Sequence, residues 1–110
     1  MYDLINELQQ KNRELSASIK QLRISGTALA EAEKNYKMKL NEAVLSLKGK
    51  GEKTTLIPLL VYGLKDVAEM RFKRDIAEVV YNANQESINA TKLQLKLLEN
   101  QIAREWGKNE

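Results

Sequence analysis

The chain of 110 residues has no cysteine, no histidine, one proline and five glycines, and only 5% of it is aromatic. Without cysteine there is no disulfide framework and no thiolate metal site. Without histidine the commonest general base and the commonest zinc ligand are both missing. That excludes zinc hydrolases, histidine-based triads and the Glu-x-x-His pairs of di-iron bundles. No run of ~18 apolar residues could span a bilayer. Met1-Tyr2-Asp3-Leu4 lacks the basic and apolar stretches of a signal peptide, so the expectation is a soluble intracellular protein. Acidic residues are scattered, and Gly49-Lys50-Gly51 has neither the strand nor the spacing of a phosphate loop. We therefore expect no enzyme, no cofactor, no metal and no small-molecule substrate.

What remains is rich in Leu, Lys, Glu, Ala, Gln and Asn, a composition that favours long helices. Residues 3 to 48 contain no proline and one glycine. One column of this segment, Leu8, Leu15, Leu22, Leu29, Tyr36 and Ala43, recurs every seven residues. A companion column reads Ile5, Asn12, Ile19, Gly26, Glu33, Leu40 and Leu47. Together they have the alternating spacing of a coiled-coil seam. Asn12 in the seam would fix register at some cost in stability. Gly26 reads as room for a bulky partner side chain, as a flex point, or as a tolerated irregularity. Glu33 reads either as one half of an ion pair or as a side chain that reaches outward.

Lys48-Gly49-Lys50-Gly51 is a helix stop. The apolar stretch Thr54-Thr55-Leu56-Ile57-Pro58-Leu59-Leu60-Val61-Tyr62-Gly63 suits a short helix with a threonine cap, proline in the first turn and a closing glycine. It reads either as a plug over the end of a core or as an exposed docking patch. Asp66 and Glu69 are spaced as a capping box, and Gly107 reads as the next stop. The architecture expected is all-α, a single domain: a helix over about 3–48, a connection with a short helix over 49–65, and a helix over about 66–106, forming a long antiparallel hairpin.

The second long segment carries two apolar stripes. Phe72, Ile76, Val79, Ala83, Ala90, Leu93 and Leu97 form one; Tyr81, Ile88, Leu95, Leu98 and Ile102 form the other. A hairpin supplies one neighbour, so a second copy is expected to cover the remaining stripe as a dimeric four-helix bundle. The competing reading is drift of one helical face along a curving pair. Candidate core and oligomer residues are Leu8, Leu15, Ile19, Leu22, Leu29, Tyr36, Leu40, Ile76, Val79, Ala83, Ile88, Leu95, Leu98 and Ile102.

Net charge is +3, unevenly distributed. Between Lys34 and Asp75 ten basic residues face five acidic ones. Lys48, Lys50, Lys53, Arg71, Lys73 and Arg74 are candidate docking or phosphate contacts. No helix-turn-helix, zinc finger or aromatic stacking surface accompanies them, and lysine-rich faces are ordinary on long helices.

Three segments carry a resemblance: Thr27-Ala28-Leu29-Ala30-Glu31-Ala32-Glu33 with Tyr36, the run Val67-Ala68-Glu69-Met70-Arg71-Phe72-Lys73-Arg74-Asp75, and the ending Leu97 to Gly107. With the Leu56-Ile57-Pro58 connection they resemble a family of short uncharacterised proteins of phages and prophages of Gram-positive bacteria. The resemblance implies a small protein made in the bacterial cytoplasm, with no catalytic residues to carry over. Two functions are in view. One is a dimeric module that binds a host, defence or phage protein. The other is a nucleic-acid accessory of a recombination or replication module that uses the basic connection. Helix physics alone does not account for the Arg71-Phe72-Lys73-Arg74-Asp75 run one turn after the connection.

Overall fold

The computed structural model describes residues 2 to 109, and the side chains of residues 2 to 107. Three helices follow one another: α1 (Tyr2–Gly49), α2 (Ile57–Val61) and α3 (Lys65–Asn109), with no strand among the described residues. The chain divides into two compact units, Met1–Ile24 with Asn82–Glu110, and Ser25–Tyr81. Early α1 thus packs with late α3, and late α1 with early α3. That order is the one an antiparallel helical hairpin requires.

In the first unit the half-buried residues of α1 are Leu4, Ile5, Leu8, Lys11, Glu14, Leu15, Ser18 and Leu22. The first column of the sequence pattern is therefore in the seam. The companion column is kept at Ile5, Gly26, Leu40 and Leu47 and displaced by one residue between them: Lys11 and Ser18 stand where Asn12 and Ile19 were expected, and Ile19 is 38% exposed. Ser25 and Ala32 continue this shifted column in the second unit, and Glu33 is exposed. The physical reason is desolvation. Turning Asn12 and Glu33 inward would bury an amide and a carboxylate, whereas small Ser and Ala cost little. Lys11 keeps its amine on Glu14 at 3.1 Å, covering the seam with its methylenes.

From α3 the first unit contributes Ile88, Thr91, Leu95 and Leu98, all buried, and Asn84, Ile102 and Glu105, half-buried. The Thr91 hydroxyl donates to the Ser87 carbonyl at 2.9 Å, so its burial leaves no orphaned group.

The second unit has a core of Tyr36, Leu47, Ile57, Val61 and Val67, with Leu40, Ala43, Val44 and Met70 packed around it. Here the buried face of α1 widens toward Leu40, Val44 and Leu47 because α2 lies over it. One side of α2, Ile57 and Val61, plugs this core, while Leu56, Leu59, Leu60 and Tyr62 are exposed. The plug reading holds for the inner face, and the other face is exposed. Gly26 provides room: a Cβ there would lie 3.3 Å from Cε2 of Tyr81.

The helix ends differ from the pattern in instructive ways. α1 closes through Glu52 N–H donating to the Leu47 carbonyl at 3.1 Å and Gly51 N–H to the Lys48 carbonyl at 3.0 Å. This is a Schellman closure, and Gly51 is its left-handed residue, with φ +82°. Gly107 has no such conformation, so α3 runs through it to Asn109 instead of stopping at Trp106. The threonines do not cap α2. Its N-cap is Leu56, without a side-chain bond, and the Lys53 carbonyl accepts from Leu56 and Ile57 N–H. Pro58 sits in the first turn as expected. Asp66 is not the N-cap of α3. The Leu64 carbonyl already accepts from Ala68 N–H at 2.8 Å, which places Asp66 inside the first turn, where its charge favours the helix dipole.

Two outcomes follow for chemical denaturation. Gly51→Ala forces an L residue into left-handed backbone and should cost about 1 kcal/mol, whereas Gly49→Ala, helical and in open space, should be neutral or slightly stabilising. Leu95→Ala should cost about 2–5 kcal/mol as a buried leucine. Ile19→Ala should cost well under that, and equal losses at both positions would restore the unshifted seam.

Candidate interaction surface

α3 is a heptad helix on its inner side. Writing the seven positions a to g, Val67, Arg74, Tyr81, Ile88, Leu95 and Ile102 fall at a. Met70, Ala77, Asn84, Thr91, Leu98 and Glu105 fall at d. Every one of these twelve is buried or half-buried, and no other described position of α3 is. One stripe of the sequence pattern, Tyr81 to Ile102, therefore meets α1.

The other stripe does not. In the second unit Phe72, Ile76 and Val79 are 65%, 48% and 64% exposed. In the first unit Leu93 and Leu97 are 59% and 58% exposed, and Ala83 and Ala90 are exposed with them. All seven lie at c or f. At 100° per residue these positions sit about 160° around the helix from a and d. The stripe is therefore a second face and not the drifted edge of the first. Ile76, Val79 and Ala83, candidate core or oligomer residues on sequence grounds, take no part in the core of this chain. Leu8, Leu15, Leu22, Leu29, Leu40 and Ile102 are half-buried, and Tyr36, Ile88, Leu95 and Leu98 fully so.

The basic run after the connection has a structural account. The Arg74 guanidinium lies over the Tyr36 ring, 4.7 Å from its centroid, and donates through Nε and Nη2 to Asp75 Oδ1 at 3.1 and 2.8 Å. The bond to Asp75 raises the Arg74 pKa above its usual value. The Arg71 guanidinium lies 5.7 Å from the centroid of the Tyr62 ring. Two arginines thus tie α3 to α1 and to the residue closing α2, while Phe72 between them faces outward. The arrangement was hidden in the sequence because Tyr36 and Tyr62 reach Arg74 and Arg71 only once the connection has folded back. The heptad spacing of Arg74 from Tyr81 was the one available signal that Arg74 points inward.

Of the phosphate candidates, Lys48, Lys50, Lys53 and Lys73 are exposed, and the two arginines are engaged with aromatic rings. Beside α2, Leu40, Val44, Lys48, Thr54, Ile57, Pro58, Val61 and Tyr62 line an apolar concavity of about 240 Å³. Among the described residues no group of three or more Asp or Glu could hold a metal ion, and no helix is long and apolar enough to cross a membrane. No family model, no curated protein and no solved structure matches the chain.

The Arg74 contact has a measurable consequence. Arg74→Met keeps the length of the side chain and removes the cation, and should cost about 1 kcal/mol in denaturant melts. Tyr36→Phe keeps the ring face and should be nearly silent in the same assay. An Arg74→Met variant as stable as the parent would remove the cation–π contact from the account.

Proposed function

We propose that this chain is a non-enzymatic protein-interaction module that works as a helical dimer, with the outer stripe of α3 as its contact surface. The observation that carries the reading is the exposure of Phe72, Ile76, Val79, Leu93 and Leu97 on a helix whose opposite face is already covered. A buried helix apolar on two faces needs two neighbours, and the hairpin provides one. Large side chains repeated along one face are what a helix presents to another helix. Two copies joined through this face make a four-helix assembly. The resemblance to phage proteins implies a host, defence or phage protein as the further partner, in the bacterial cytoplasm. This reading is preferred to phosphate binding by the basic connection because both arginines of that set lie over aromatic rings, Arg74 over buried Tyr36 and Arg71 over Tyr62 at the surface, which leaves only lysines without a ring contact.

Sedimentation equilibrium tests the self-association. The parent protein should dimerise at micromolar concentration, and its melting temperature should rise with concentration. Val79→Lys with Leu93→Lys should give a monomer of unchanged helicity, since both positions are exposed. A parent protein that stays monomeric at tens of micromolar would overturn the reading.

A further inference from the structure

We infer that the occupant of the outer α3 stripe is the same stripe of a second copy, running antiparallel and in one defined register. The inference rests on the interaction reading above and names its partner and geometry.

The stripe is complementary to itself. In an antiparallel helix pair, residues that face each other have numbers adding to one constant. Phe72 then faces Leu97 of the second copy, Ile76 faces Leu93, and Val79 faces Ala90. The same constant sets Ala83 against Glu86, the only charged residue in the stripe. Each pair joins an f position to a c position. That is what antiparallel packing requires, because the three-residue and four-residue steps then run in opposite order on the two helices. Both ends of the contact are wide and the centre is narrow, so the bulky layers lie away from the two-fold axis.

Charge selects the same arrangement. Asp75 and Lys96 flank the stripe on one side, and this register brings Asp75 of each copy beside Lys96 of the other. The Asp75 side chain is 51% exposed, leaving its carboxylate accessible for such a pair. A parallel pair in register forms no opposite-charge pair along the flanks and sets Glu86 against Glu86 in one layer. The antiparallel pair sets Glu86 against Ala83, whose small side chain lets the carboxylate turn to solvent.

The absence of cysteine makes the test direct. Ile76→Cys and Leu93→Cys are prepared as separate full-length variants, each checked for helicity by circular dichroism. Each is then oxidised alone, and a one-to-one mixture is oxidised beside them. Facing positions can reach disulfide distance, so the mixture should give roughly tenfold more covalent dimer than either variant alone. In this register Ile76 lies about 25 Å along the axis from Ile76 of the second copy, too far for a bond. Self-linking of Ile76→Cys would mark a parallel pair and overturn the inference. A dimer that gives no cross-link in the mixture would overturn it too, while self-association itself stands. A monomer would overturn both.

Discussion

Everything in this molecule depends on the heptad seam between α1 and α3. A long helix has little stability of its own in water; it persists by laying an apolar face on a neighbour. Here the neighbour is the other long helix, and the face is the set of a and d positions of α3. Once that face is committed, the direction of every other α3 side chain follows from 100° per residue. The outer stripe is exposed because the seam uses the opposite side. The same commitment turns Arg74 inward onto Tyr36, and it determines which glycine meets Tyr81.

The seam tolerates polar residues in a controlled way. Lys11, Ser18 and Ser25 occupy it on α1, and Arg74, Asn84, Thr91 and Glu105 on α3. Thr91 satisfies its hydroxyl on its own helix, Lys11 on Glu14, and Arg74 on Asp75 and a ring face. Such positions contribute little apolar burial. The deepest burial lies instead at Val61 and Val67, where α2 closes over the two long helices. There the connection acts as a third element, which explains why so apolar a segment links two amphipathic helices.

Much of this was legible in advance. The fold class, the two long helices, the stop after Lys48 and the first seam column all follow from period and composition. So does the division of α3 into two stripes. The exceptions in the companion column, at positions 12, 19 and 33, were not legible, because Ile19 made that phase look more apolar than its neighbour. Small residues decide close approach between helices, and a hydrophobic pattern underrates Ser18, Ser25 and Ala32. Gly107 and Gly51 look alike as letters; only backbone conformation and the bonds to Leu47 and Lys48 distinguish a helix end from a passing glycine. The contacts of Arg71 and Arg74 depend on residues about 10 and 40 positions away in sequence, beyond the reach of local periodicity.

By itself the sequence determined that this chain folds as paired helices with more apolar surface than one hairpin hides. Helical period is a local property, carried by spacing alone. The tertiary structure decided which stripe is hidden, because that depends on how α1 turns about its axis as it meets α3. The desolvation of Asn12 and Glu33, the size of Ser18 and Ser25, and the cover supplied by α2 settled that rotation, and none of the three is visible until the two helices touch.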